Sequence, residues 1–142
     1  MIITADDSAA LLYRGMQADE DDQPRCGPTA RMLGVRPDVD LAVSADGEVM
    51  PGQGGLSVTP SDPMLLPRHR RPPAFGGTGK DPLRQIAIGD LGQGLRYRAD
   101  PLDPTRHGFI EPASVTTLAL FQEALVATRG FWQRSMSEDD SN

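Results

Sequence analysis

Three side chains with complementary chemistry follow one another along the chain, each within or beside a strand-like segment. Arg14 ends an apolar run, Ser57 lies in the alternating segment 56–59, and Glu111 follows His107 at the end of another such segment. An arginine fork holds phosphate groups, and a carboxylate favours the positive charge that develops on a nearby sugar. The set therefore indicates a site that could hold a phosphate-bearing substrate and favour positive charge that develops beside it.

Each of these residues also has an ordinary structural interpretation. An arginine at a strand end is usually solvated or paired with a carboxylate, Glu111 could be a loop acid, and His107 could be a half-buried imidazole. A hydrolase triad built on Ser57 and His107 stays open, although Thr59 replaces the second glycine of a nucleophile elbow. The functional interpretation therefore rests on the joint order of the residues.

Size and charge narrow the classes of function. The 142 residues predict a single domain, and a net charge of −6 argues against stable binding of double-stranded nucleic acid. The single cysteine, Cys26, permits no internal disulfide and fits a reducing cytosol. The first residues lack the features of a signal peptide, and no window is apolar enough for a membrane span. A cytoplasmic protein that does not bind a membrane is expected.

Other familiar motifs are excluded by their spacing. The segment 76–80 ends in Gly79-Lys80, but Ala74 stands where a P-loop needs its first glycine, and Asp81 follows the lysine. The glycines of 89–94 have the wrong spacing for a dinucleotide fingerprint. Two histidines and one cysteine, widely spaced, predict no metal site.

The periodicity predicts many short strands and one convincing helix. Strands are expected at 9–14, 41–43, 48–50, 56–59, 85–88, 95–98 and 109–110, with 41–43 and 48–50 joined in a hairpin by Asp46-Gly47. A short helix is expected at 28–33 and the main helix at 117–129, with Thr117 as its N-cap. The predicted class is α+β, with a mostly antiparallel β core, few short helices and one C-terminal helix.

The segment 60–82 stands apart from these elements. It carries six prolines and the basic run Arg68-His69-Arg70-Arg71, so neither a continuous helix nor a central strand can form there. Long irregular segments inside a small domain are uncommon and often functional. The ordered domain is expected to comprise residues 1–134, followed by a disordered acidic tail at 135–142.

Three short motifs occur in a fixed order: Tyr13-Arg14-Gly15, then Gly54-Gly55-Leu56-Ser57-Val58, then His107-Gly108-Phe109-Ile110-Glu111-Pro112-Ala113 before the main helix. In this order they resemble the small ADP-ribosyltransferase toxins of the type VI secretion effector 2 class. Those toxins have a Leu-Tyr-Arg start, a Gly-Gly-x-Ser-Val segment and a His-x-x-Ile-x-Pro-Ala close. The similarity covers roughly residues 10–132.

The resemblance implies an ADP-ribosyltransferase fold with a split β core that binds NAD in a cleft between two small sheets. It implies a toxin that acts inside bacterial cells, with delivery by a secretion system as one route, and a cognate antitoxin or immunity protein. The residues carried over or placed near the cleft for catalysis are Glu111, Ser57 and His107. Those assigned to NAD binding are Arg14, Tyr13, Gly55, Ser57, Arg70, Arg71 and Tyr97.

Two further expectations follow from this comparison. The segment 60–82 is expected to fold over NAD, with Arg68, Arg70 or Arg71 near the phosphates and Phe75 as a possible wall for the nicotinamide. The chain lacks the Glu-x-Glu pair of arginine-modifying relatives, so an acceptor other than arginine is expected, and its identity stays open. The alternative is a non-catalytic module of the same fold that binds a nucleotide or a protein.

Overall fold

An antiparallel six-stranded sheet is the main element of the fold, which was obtained as a computed structural model describing residues 2–136. The main sheet has the order β5-β6-β3-β1-β4-β8, and β2 pairs separately with β7. The strands are β1 (Leu11–Gly15), β2 (Glu48–Val49), β3 (Leu56–Pro60), β4 (Leu83–Ala87), β5 (Leu95–Ala99), β6 (Gly108–Pro112), β7 (Thr116–Thr117) and β8 (Gln133–Arg134). The described residues contain one α-helix, α1 (Leu118–Ala127). The predicted α+β class is confirmed.

Helix α1 covers one face of the sheet. Thr117 caps it by accepting a hydrogen bond from the Leu120 N–H at 3.2 Å, as its residue type predicts. Phe121 and Leu125 are buried, and Trp132 packs into the same core after the helix ends. This core holds the middle strands in place, so side chains that point to the other face keep fixed positions.

The proline-rich segment 60–82 covers the opposite face. It contains three short 3₁₀ helices, Pro63–Leu65, Arg68–Arg70 and Pro73–Phe75. Leu66 from this segment packs with Tyr13 of β1 and Leu83 of β4 in a second apolar cluster, against which Phe75 also packs. The segment is therefore a structured cover that is anchored to the sheet.

Strands β1 and β3 pair over only a short stretch. Leu12 lies opposite Pro60 and Tyr13 opposite Thr59, and the pairing stops there. The next residue of β1, Arg14, donates from Nη1 to the Ser57 carbonyl oxygen at 2.9 Å, so a side chain occupies the place of the ladder hydrogen bonds. The sheet thus parts between β1 and β3, with β4 and β8 on one side and β6 and β5 on the other.

Several local predictions were wrong. Residues 28–33 form turns instead of a helix. The turn at Asp46-Gly47 forms, with the Ser44 N–H donating to the Glu48 carbonyl at 2.9 Å, but β2 pairs with β7 and not with 41–43. The strands predicted near β1, β3, β4, β5 and β6 are confirmed, with ends that differ by one or two residues.

The predicted tail at 135–142 lies mostly outside the described residues. Of its members, Ser135 donates from its backbone to the Leu83 carbonyl at 2.9 Å and from Oγ to Gln85 at 3.0 Å. Within the described part of the chain, no helix is long and apolar enough to cross a membrane.

Candidate functional site

A cleft of about 250 Å³ opens where β1 and β3 part. Its walls come from the two strands, from the 30–40 region and from the proline-rich segment. The residues that line it are Tyr13, Arg14, Gly15, Ala30, Arg36, Asp40, Ser57, Val58, Thr59, Leu66, Pro67, Arg70 and His107. The cleft thus brings together five of the residues singled out from the sequence: Tyr13, Arg14, Ser57, Arg70 and His107.

Arg14 is the buried cation at the base of this cleft. Its guanidinium donates to the carbonyls of Ser57 and Met32 at 2.9 and 2.8 Å, and its Nε has no hydrogen-bond partner. Burial lowers the pKa of Arg14 to about 10, with nearby Asp40 opposing that shift, so the side chain stays charged at neutral pH. A buried cation with a free N–H is suited to binding an anion.

Ser57 and Tyr13 offer groups from the two sides of the parting. Ser57 is half-buried, and no described residue accepts or donates a hydrogen bond at its Oγ. The Tyr13 ring is largely buried against Leu66, and burial, with Asp62 adding to the effect, raises the pKa of its hydroxyl. A free hydroxyl beside an aromatic wall can position a ribose and a flat ring.

Two cleft residues, Arg36 and Asp40, were missed in the sequence. They form a salt bridge in which Arg36 Nη2 lies 2.9 Å from Asp40 Oδ1. Desolvation is the largest single effect on the Asp40 pKa and raises it. The hydrogen bonds and charge of Arg36, together with the charge of Arg14, outweigh it, so the pKa of Asp40 is lowered overall. Their i, i+4 spacing in the sequence is typical of a salt bridge on a helix. Outside a helix, that spacing does not indicate that two residues line one cleft.

Arg70 and Arg71, adjacent in the basic run, have different surroundings. Arg70 lines the cleft and makes one long contact, 3.5 Å from Nη1 to the Ala30 carbonyl. Arg71 turns back onto its own segment, donating to the carbonyls of Leu66 at 3.1 Å and Phe75 at 2.7 Å. The structure places Arg70 at the cleft and Arg71 as a brace of the segment.

His107 sits at the rim of the cleft with its ring held from two sides. Its Nδ1 lies 2.7 Å from Asp100 Oδ2, and its ring meets the Phe109 ring edge-on at a centroid distance of 4.8 Å. The hydrogen bond from His107 is the main cause that lowers the pKa of Asp100. Asp100 is a third residue, after Arg36 and Asp40, that was not predicted from the sequence; it lies seven positions before its partner His107.

Glu111 lies outside the cleft lining. Its carboxylate is 1 % exposed and accepts hydrogen bonds from Arg98 Nε at 2.8 Å and from the Gly52 N–H at 2.9 Å, with Arg96 Nε 3.4 Å away. It shares a sheet face with Ser57, one diagonal position along β6, which corresponds to roughly 7–8 Å. The structure therefore does not join Glu111 to Arg14 and Ser57 in one cleft, and a catalytic role for it stays a prediction.

Tyr97 and Gly55 also lie away from the cleft. Tyr97 is buried in the core beneath the sheet, and burial raises the pKa of its hydroxyl to about 12. A Cβ on Gly55 would stand 2.3 Å from the Ile110 carbonyl oxygen, so this glycine permits the close approach of β3 to β6. Both residues have evident packing roles, and neither contacts the cleft.

A second cavity, of about 530 Å³, adjoins the first. Thr59, Leu66, Pro67 and His107 line both, and the second adds Met64, Leu65, Arg71, Asp103 and Arg106. Among residues 2–136, no group of three or more metal-binding side chains is arranged to hold a metal ion.

Comparison with known proteins assigns no class to this site. No model of a known protein family matches the chain, and no curated protein shows significant similarity to it. The resemblance of the three motifs therefore stays a prediction, and the function has to be argued from the site.

Proposed function

We propose that the protein is an NAD-dependent ADP-ribosyltransferase that cleaves the nicotinamide–ribose bond and transfers ADP-ribose to an acceptor. The observation that carries this proposal is the parting of β1 from β3, which brings Arg14 and Ser57 into one cleft with Tyr13 and Arg70. A cation pair, a free hydroxyl and an aromatic wall match the pyrophosphate, ribose and nicotinamide of NAD.

The arginines support binding of the diphosphate. Arg14 lines the cleft with a buried guanidinium whose Nε has no hydrogen-bond partner, and Arg70 reaches the cleft from the covering segment. Their charges are close enough for Arg70 to lower the pKa of Arg14, so an anion between them relieves repulsion as well as desolvation. The covering segment thereby takes part in binding NAD.

A carboxylate near the ribose would favour the positive charge of the transition state. Among the described residues lining the cleft, Asp40 is the carboxylate, and it is partly buried beside Arg14. Glu111 could serve only if the Arg96 and Arg98 side chains moved away from it. We therefore assign this role to Asp40, with Glu111 as the residue that the motif resemblance favours.

The direct test is release of nicotinamide from NAD by purified protein in the presence of cell lysate. Wild type is expected to release nicotinamide and to leave label from adenine-labelled NAD on a lysate component. Ser57→Ala is expected to lose most of this activity with an unchanged unfolding temperature, because Ser57 Oγ makes no contact that the fold needs. Activity of Ser57→Ala equal to wild type would contradict the proposed site.

The second candidate is a non-catalytic module that binds a nucleotide or a protein. The pairing of both candidate carboxylates favours it: Glu111 accepts hydrogen bonds from Arg98 and Gly52, and Asp40 forms a salt bridge with Arg36. Calorimetry with NAD distinguishes the two. Binding of NAD with no nicotinamide release supports the module, whereas turnover supports the enzyme.

The biological setting is proposed on the motif resemblance alone: a toxin that acts in the cytoplasm of bacterial cells and is neutralised by an antitoxin or immunity protein. Expression in a bacterium is then expected to arrest growth, and Ser57→Ala is expected to restore it. Equal growth of cells that express wild type or the variant would argue against toxicity.

A further inference from the structure

We propose that the second cavity is the acceptor site and that His107, positioned by Asp100, is the general base that activates an acceptor hydroxyl there. This inference rests on the proposed function and extends it to the second substrate. It assigns roles to Asp100, Asp103 and Arg106, which the NAD site does not use.

His107 lies at the boundary between the two cavities. The imidazole lines both the cleft that contains Arg14 and the adjoining cavity that contains Arg106. Its side chain is 34 % exposed, so a solute in either space can reach it. A base at the boundary of two substrate sites stands beside the bond that forms between the substrates.

Asp100 fixes the orientation of the His107 ring. Asp100 Oδ2 lies 2.7 Å from His107 Nδ1, and Asp100 Oδ1 is itself fixed by the Leu102 N–H at 2.9 Å. A proton on Nδ1 shared with Asp100 leaves the Nε2 lone pair free, and no described residue forms a hydrogen bond to Nε2. Phe109 supports the ring from its edge and is itself covered by Arg98, whose guanidinium carbon lies 5.1 Å from the Phe109 centroid.

The transfer step balances with these groups. The bond between the ribose C1′ and the nicotinamide nitrogen breaks, and its electron pair leaves with neutral nicotinamide. The acceptor oxygen forms the new bond to C1′, and its proton passes to His107 Nε2 and then to water. The resulting imidazolium is stabilised by the Asp100 carboxylate.

The chemistry of the cavity indicates the class of acceptor. An imidazole can take a proton from a hydroxyl as its oxygen attacks, whereas a guanidinium is too weak an acid for this base. The cavity carries the cations Arg71 and Arg106 against one carboxylate, Asp103. Arg106 forms no salt bridge with any described residue. The cavity therefore fits a hydroxyl on a molecule that also carries a negative charge.

The test of the base uses His107→Ala, with His69→Ala as the matched control, because His69 is exposed and lines neither cavity. Transfer of ADP-ribose to glycerol 3-phosphate is measured at saturating NAD. His107→Ala is expected to lower kcat by about 100-fold with little change in the KM for NAD, and added imidazole is expected to restore part of the rate. Asp100→Asn is expected to lower kcat in the same way, since an amide favours the wrong tautomer.

The test of the acceptor class compares glycerol with glycerol 3-phosphate. Wild type is expected to prefer the phosphate-bearing alcohol by about tenfold, and Arg106→Gln is expected to remove that preference. Equal use of both alcohols, or transfer to neither, would overturn the acceptor assignment.

The outcomes separate this inference from the function on which it rests. Wild-type protein that releases no nicotinamide would overturn both. Nicotinamide release by wild type, with His107→Ala transferring at the wild-type rate, would overturn only the role of the histidine. A rate loss in His107→Ala that imidazole leaves unchanged would also count against the base.

Discussion

The arginines of this protein differ in their hydrogen-bond partners and therefore in their roles. Arg14 is buried and holds the Ser57 and Met32 carbonyls, Arg71 braces its own segment, and Arg70 reaches the cleft with one long contact. A guanidinium whose donors are already used contributes to the fold, and one with free donors can bind a ligand. The sequence presents these residues as equivalent cations.

Arg70→Gln and Arg71→Gln form a matched pair that tests this difference. Arg70→Gln is expected to weaken NAD binding by about tenfold with little loss of stability, because it removes one charge-assisted contact to a phosphate. Arg71→Gln is expected to lower the unfolding temperature, because the Leu66 and Phe75 carbonyls lose their donor. Calorimetry with NAD and thermal unfolding measure the two effects. The reverse pattern would show that the basic run is assigned wrongly.

Glu111→Gln tests whether the buried carboxylate is structural. The change removes a charge that accepts from Arg98 and Gly52 and leaves two arginines without their anion. We expect the free energy of unfolding to fall by about 3 kcal/mol, as for a broken buried ion pair. Urea denaturation measures this loss.

The activity of Glu111→Gln completes the test. Nicotinamide release per folded molecule, measured well below the unfolding temperature, is expected to stay near the wild-type rate. A fully folded variant without activity would instead support the catalytic role that the motif resemblance assigns to Glu111.

At the scale of elements, the cover over the cleft is attached to the sheet through a small apolar cluster. Leu66 joins Tyr13 and Leu83 in the second cluster, and it also lines the cleft beside Pro67. The three 3₁₀ helices of the segment contain no buried residue of their own. The attachment of the cover to the sheet therefore relies on Leu66 and on the partly buried Phe75.

Leu66→Ala is expected to loosen this cover. It removes a buried side chain and should lower the free energy of unfolding by about 2 kcal/mol, the low end for such a truncation, because the cluster is small. Limited proteolysis is expected to cut within 60–82 more rapidly, and NAD binding should weaken. Met64→Ala is the control, since Met64 is 52 % exposed. Equal proteolysis of both variants would contradict the anchoring role.

The elements that the sequence predicted are those with a local signal. The alternation of apolar and polar residues predicted β1, β3, β4, β5 and β6, and a capping threonine predicted the start of α1. The wrong predictions concern segments whose structure depends on contacts with residues distant in the sequence. Residues 28–33 stay irregular because their carbonyls, those of Thr29 and Met32, turn to Arg14. Strand β2 pairs with β7, 67 positions or more away in the sequence, and the Asp46-Gly47 turn gives no sign of that partner.

At the scale of the whole molecule, a few arginines form ion pairs with the acidic residues that are in excess. The net charge is −6, and the acidic loop of Asp19 to Asp22 contacts Arg84 of β4 as well as Arg129 and Arg134, which follow α1. These pairs tie the 19–22 loop to β4 and to the residues that follow α1. Arg84 is 1 % exposed whereas its partner Asp22 is 59 % exposed, so solvent and salt still screen this pair on the Asp22 side.

Stability is therefore expected to fall in acid. The hydrogen bond from Arg129 is the main cause that lowers the pKa of Asp19 to about 2. A lowered pKa contributes stability above the ordinary value for aspartate, and this contribution is lost as the pH falls from about 4 to about 2. The midpoint of unfolding against pH measures it. Asp19→Asn should flatten that dependence, and Asp46→Asn, in an exposed turn, should leave it unchanged; equal curves would contradict the pairing.

The site was predictable in part. Arg14, Ser57 and His107 are in one cleft, because each sits at a fixed place on a strand or beside one, and strand order brought them together. Arg36, Asp40 and Asp100 were not found, since they lie in irregular segments whose positions depend on tertiary contacts. The arginines around Glu111 come from β5, and the sequence alone does not show that β5 pairs with the strand of Glu111.

The central claim is that the cleft between β1 and β3 binds NAD and breaks its nicotinamide bond. The most direct measurement is nicotinamide released per molecule of purified protein, for wild type, Ser57→Ala and Arg70→Gln, with NAD binding measured on the same samples. We expect many turnovers for wild type, loss of turnover in Ser57→Ala, and weakened NAD binding in Arg70→Gln. Wild-type protein that neither binds NAD nor releases nicotinamide, although fully folded, would contradict it.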